Sequence, residues 1–129
     1  MSGTDIGTTG GTDARPTSGA VVVAISSDRM GRGDDQLGAV LLRSFLHTLG
    51  EASPAPDTLI FFNSGVELAV EESPVLEDLH RLEARGVKIL LCGTCLGHFE
   101  LRDKVAVGEI SNMYAITETM LDAGRVINL

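Results

Sequence analysis

Tryptophan is missing from this 129-residue chain, tyrosine occurs once and phenylalanine four times, so aromatics make up only 4% of it. Val, Leu and Ile must therefore fill the core. Basic residues are also short: ten Lys and Arg against eighteen Asp and Glu give a formal net charge of −8. Nucleic acids and anionic membrane surfaces are held by Lys and Arg neutralising phosphate, so neither is an expected partner. No apolar run approaches the ~20 residues that span a bilayer. The N-terminus has neither the basic patch nor the apolar stretch of a secretory signal. A cytoplasmic location is the expectation. Cysteine occurs only at positions 92 and 95. In a reducing compartment, two thiols so close together serve chemistry or a metal sooner than a structural bridge.

What is present suits one compact domain, with 43% hydrophobic and 22% charged residues. The first nineteen residues, MSGTDIGTTGGTDARPTSG, are nearly all small and polar. They bury too little apolar surface to offset their ordering entropy and read as a disordered tail over 1–19. From Ala20 the texture changes. AVVVAIS is a continuous apolar run, as in a strand covered on both faces. A helix follows, with Asp34 or Asp35 as its cap, Leu37, Val40, Leu41, Ser44, Phe45 and Thr48 at helical spacing, and Gly50 as its stop. TLIFF is a second buried strand. Ser73-Pro74 opens a second helix, with Val75, Leu76, Leu79 and Leu82 in one stripe and Gly86 closing it. VKILL gives a third strand and KVAVGEI a fourth. SNMYAITETMLDAG is a helix with Ser111 as its cap, and RVINL is a last strand. Alternating strands and helices over 20–129 predict an α/β fold with a mostly parallel sheet between helices.

In such a fold every strand-to-helix loop emerges on the same edge of the sheet, where binding sites collect. Four loops qualify: Ser26 to Gly33, Asn63 to Val66, Cys92 to Cys95, and Ser111-Asn112. Asn63, Ser64, Gly93, Thr94, Ser111 and Asn112 are the candidate lining residues, and Asp28 joins them. Taken singly, the polar ones are also ordinary turn or cap residues.

The stretch ILLCGTCLGHFE puts Cys92 at a strand end and Cys95 in the first turn of a helix. Helix N–H groups favour a thiolate there, which predicts a nucleophilic or sulfur-carrying cysteine. Cys92 is equally a small hydrophobe of the kind that finishes buried strands. Cys92, Cys95 and His98 have C-x2-C-x2-H spacing, but a structural zinc site needs a fourth ligand that the sequence does not offer. CGTC also matches dithiol oxidoreductases, whose cis-proline opposite the thiols has no counterpart after Pro74. His98 lies one turn beyond Cys95 and can serve as its base or stand as an exposed helix residue. Arg32-Gly33-Asp34 reads as a loop ending in a helix cap, and GRG without a following Lys-Ser/Thr pair is no nucleotide P-loop. No cofactor is implied.

Three segments, SSDRMGRGDDQLGAVLLRSFLHTL, VKILLCGTCLGHFELRDKVAVGEISNMYAITETM and RVINL, together resemble the DsrE-like domain of YedF proteins, which are sulfurtransferase-like proteins of selenium metabolism. The resemblance covers 20–129. It implies a three-layer α/β/α sandwich with five mostly parallel strands, and a persulfide carried on Cys92, beside the loops at Asn63 and Ser111. Cys95 would then resolve that persulfide. It further implies a homo-oligomer, trimer or hexamer, and as donor a cysteine desulfurase or a small sulfur-carrier protein. YedF proteins carry an N-terminal sulfur-carrier domain, where this chain has only the polar tail, and His98 stands where the family more often has an aromatic residue. A non-catalytic protein- or anion-binding module of the same fold is the alternative expectation.

Overall fold

The computed structural model describes residues 19–129, and the expected tail lies outside them apart from Gly19. The chain runs β1 (Val21–Ile25), α1 (Asp35–Glu51), β2 (Thr58–Phe61), a 3-10 helix (Asn63–Ala69), α2 (Leu76–Ala84), β3 (Lys88–Cys92), α3 (Gly93–His98), a 3-10 turn (Arg102–Lys104), β4 (Glu109–Ser111), α4 (Met113–Asp122) and β5 (Arg125–Asn128). The five strands form one sheet in the order β4-β3-β2-β1-β5, with all four pairings parallel. Right-handed crossovers put α1, α2 and α3 on one face as the chain steps from β1 to β4. The last connection reverses direction and carries α4 over the other face. The three-layer α/β/α sandwich follows from that reversal.

All four residues of β2 are buried, as expected for an interior strand covered on both faces. Leu42, Leu46, Leu79, Leu82 and Leu96 from the first helical layer meet Leu59, Phe61, Ile89 and Leu91 of the sheet, and Ile116 enters from α4. Each of these is at most 2% exposed. Gly65 lets the 3-10 helix close onto the end of β1, since a Cβ there would lie 2.5 Å from the Ile25 carbonyl oxygen. Among the described residues no helix is long and apolar enough to cross a membrane.

Several local expectations are corrected. In α1 the residues facing the core are Gly38, Leu42, Leu46 and Gly50, while Leu37, Val40 and Leu41 are 55%, 50% and 43% exposed. Both stripes are apolar, so periodicity alone could not choose between them. Gly50 lies inside the helix against Arg81, and Ala52 follows as the C-cap. Asp34 is the N-cap, accepting from the Leu37 N–H at 2.8 Å. Helix α2 starts at Leu76, not at Pro74, because the Ser73 hydroxyl takes the Val75 N–H in a turn ahead of it. The fourth strand is only Glu109–Ser111: Arg102–Lys104 winds into a 3-10 turn and Val105 makes an isolated antiparallel bridge to Val70. Asn112, not Ser111, caps α4, its Oδ1 accepting from the Ala115 N–H at 2.8 Å.

Candidate functional site

Strand β3 ends at Cys92, which is paired in register with Ser111 of β4, and α3 begins at the next residue. The strand ends inside the layer, so Cys92 is only 1% exposed. Cys95, three residues on, is half-buried and opens outward. Both cysteines are free thiols, and a side-chain hydrogen bond couples them. The chain leaving β2 turns sharply at Asn63, whose φ of +47° lies in the left-handed region that asparagine tolerates. The Asn63 backbone N–H, in the peptide that leaves β2, donates to the Cys95 Sγ, 3.0 Å away.

Around Cys95 lies a shallow cleft of about 320 Å³ lined by Asn63, Thr94, Cys95, His98 and Phe99. His98 is exposed, and its ring meets Phe99 edge-on with centroids 5.0 Å apart. The cleft is mostly uncharged, with His98 and Cys95 as its titratable members. Among the described residues no group of three or more His, Cys, Asp and Glu converges to hold a metal ion.

The thiol electrostatics differ from the expectation that a helix start would favour the thiolate. Burial pushes the Cys95 thiol above its ordinary value, and the hydrogen bond to Cys92 and the charge of that neighbour add to the rise. The Asn63 N–H, which prefers a thiolate, pulls the other way without prevailing. A helix of six residues, Gly93–His98, offers too small a dipole to reverse this.

Of the residues named from sequence, Asn63, Thr94 and Cys95 meet in the cleft, and Cys92 lies beneath them. Gly93 has a packing role: a Cβ there would sit 2.9 Å from the Ser111 carbonyl oxygen and 3.4 Å from the Arg102 guanidinium. Ser64 turns away to exchange hydrogen bonds with Asp28, its hydroxyl accepting from the Asp28 N–H and donating to the carboxylate, each at 3.2 Å. Asn112 is spent on capping α4. Sequence reasoning missed Phe99 and Arg102. The Arg102 guanidinium donates to the Gly93 carbonyl oxygen at 2.8 Å and lies over Gly97. A signal existed: two glycines in a six-residue helix, each costing about 1 kcal/mol against alanine, mark a close approach.

Comparison with known proteins agrees with the fold. The DsrE/DsrF-like family matches residues 21–129. No curated protein matches the chain. Among solved structures, the YchN protein of E. coli superposes with a TM-score of 0.66 at 17% identity, covering 85% of this chain and 98% of its own. MTH1491, a protein of unknown function from Methanobacterium thermoautotrophicum, gives 0.62 at 20% identity over 85% and 98%. BT1422 from Bacteroides thetaiotaomicron, also of unknown function, gives 0.61 at 11% identity over 88% and 97%. At these identities the structures speak for the fold alone. The family match spans nearly every described residue, and the chain belongs to the DsrE/DsrF-like family.

Proposed function

We propose that this DsrE/DsrF-like chain is a sulfur carrier that holds a persulfide on its CGTC loop and passes it to a partner protein. The observation that carries the reading is the pair of coupled, reduced thiols at the carboxyl edge of the sheet, with the Asn63 N–H set 3.0 Å from the outer sulfur. An N–H in that position stabilises negative charge on sulfur, which thiol–persulfide exchange develops. Cys92, almost without solvent contact, is the storage position, since a persulfide there is shielded from stray thiols. Attack by Cys95 on the inner sulfur of a Cys92 persulfide would form the Cys92–Cys95 disulfide and expel hydrosulfide, releasing the cargo in reduced form. Donors of suitable chemistry are a cysteine desulfurase or a small sulfur-carrier protein in a reducing, cytoplasmic setting. Selenium, with the same exchange chemistry, is the alternative cargo that the YedF resemblance suggests.

Self-association into a trimer or hexamer belongs to the same reading. It is supported by the apolar flank of α1, where Leu37, Val40 and Leu41 stand in solvent.

One observation favours a second reading. A raised Cys95 thiol suits a non-catalytic module that docks a protein or small anion at this edge, with structural or redox-sensitive cysteines. Intact-protein mass spectrometry after incubation with a cysteine desulfurase and free cysteine separates the two. A carrier gains one sulfur atom, located by fragmentation within Cys92–Cys95. Failure to load, where an established carrier protein loads, would leave the binding module as the better account.

A further inference from the structure

We propose that sulfur is received by Cys95, with His98 as its proton acceptor, before it reaches Cys92; this rests on the carrier reading above. A donor protein can reach only the thiol that opens on the cleft, and that is Cys95, because Cys92 is 1% exposed. A thiol must lose its proton to attack. Cys95 is held in the neutral form by burial, so the proton needs a receiver within the cleft.

His98 fills that position. Three residues along a helix place it on the same face as Cys95, and both side chains line the one cleft. Among the described residues no Asp, Glu, Lys or Arg lines the cleft beside it. The 3-10 helix Asn63–Ala69 presents uncharged Asn63 to the cleft, while its Glu67 lines a separate pocket with Asp28 and Arg43. The turn Arg102–Lys104 directs Arg102 onto Gly93 and Gly97. Within α3 the neighbours are Thr94 and Cys95, Phe99 is the C-cap, and Glu100 follows in the turn beyond. Phe99 holds the imidazole from one side through its edge-on ring contact.

The chemistry balances without any oxidant. His98 takes the Cys95 proton, and Sγ attacks the terminal sulfur of the donor persulfide. One S–S bond forms as the donor's S–S bond breaks, and the donor thiolate leaves with the proton relayed through His98. Cys92 Sγ then attacks the outer sulfur of the Cys95 persulfide, moving it inward and restoring the Cys95 thiol. Sulfur changes hands twice and no electrons are gained or lost.

The test is the rate of sulfur loading from a cysteine desulfurase and free cysteine, followed by intact mass between pH 6.5 and 10, for wild type, Cys92→Ala, Cys95→Ser and His98→Gln. Cys92→Ala should load and keep the sulfur on Cys95, while Cys95→Ser should not load. His98→Gln should load about tenfold or more slowly near pH 7, within the usual range for a lost general base. That deficit should close at high pH, where the thiolate forms unaided. His98 is exposed, so its variant retains the fold, as circular dichroism would verify. Loading of Cys95→Ser at the wild-type rate would overturn Cys95 as receiver. A His98→Gln profile superimposed on wild type would overturn the proton transfer. Both results leave the carrier reading standing, whereas a wild type that never loads removes the carrier reading itself.

Discussion

Replacing Cys92 with alanine should make Cys95 more acidic and faster to alkylate near neutral pH, although alkylation takes place on the untouched residue. Two of the three influences that raise the Cys95 thiol come from Cys92: the hydrogen bond that Cys95 donates to it and the charge it can carry. Alanine removes both and leaves burial opposed by the Asn63 N–H at 3.0 Å. The hydrogen bond that favours the protonated thiol, about 0.5–1.5 kcal/mol, is lost with Cys92, and the thiolate fraction at pH 7 rises about two- to tenfold. A more acidic thiol is also a poorer nucleophile, with a Brønsted coefficient of about 0.4–0.5, so the net acceleration is about two- to fourfold. Iodoacetamide labelling of the native protein across pH 6.5–10, with peptide mass spectrometry to follow Cys95, reads the effect directly. The profile should shift to lower pH with a slightly lower plateau. A Cys95 rate in Cys92→Ala equal to or below wild type, in a variant with native circular dichroism, would refute the coupling of the two sulfurs.

Cys95 should also tie stability to alkaline pH. Its folded pKa is raised, so the unfolded thiol ionises first and holds fewer protons; stability is flat below the ordinary value of 9.0 and falls as pH rises from there through the folded value. Urea midpoints measured between pH 8 and 10.5 should decline more in wild type than in Cys95→Ser, and parallel curves would count against the raised thiol. Sedimentation velocity should show a multimer of the full chain. Leu37→Glu combined with Leu41→Glu should convert it to monomer with unchanged circular dichroism, whereas a monomeric wild type would remove the self-association reading.

The architecture was legible because its determinants are local and redundant. AVVVAI, TLIF and KILL each form short apolar runs, each is followed by a helix, and right-handed crossovers leave little freedom in how such units stack. Element boundaries were less legible because single hydrogen bonds decide them. Whether Ser111 or Asn112 caps α4 depends on which side chain reaches the Ala115 N–H. Whether Pro74 lies inside α2 depends on the Ser73 hydroxyl. In α1 two apolar stripes compete, and only the neighbouring α2 selects one for the core. The position of the thiols at the sheet edge followed from their place at a strand-to-helix junction in a parallel sheet and could be read in advance. Their division into a sealed sulfur and an open one depends on how far β3 runs before α3 begins. The two glycines of α3 signal a close approach, but nothing in their spacing names Arg102 as the side chain that folds back over the helix.

The raised Cys95 thiol bears on the carrier reading in a way that a simple search for acidic cysteines would miss. A thiol that rests as an anion in an open cleft is exposed to every passing electrophile and oxidant. A thiol that rests protonated is protected, but must be ionised at the moment a donor arrives. The site holds one group for each requirement. Burial and the hydrogen bond to Cys92 keep the proton on Cys95, and the Asn63 N–H stands ready to stabilise the anion once it forms. Docking of a donor would exclude water from the cleft and strengthen that N–H···S⁻ interaction relative to the free state. Ionisation would thereby be coupled to the arrival of a partner.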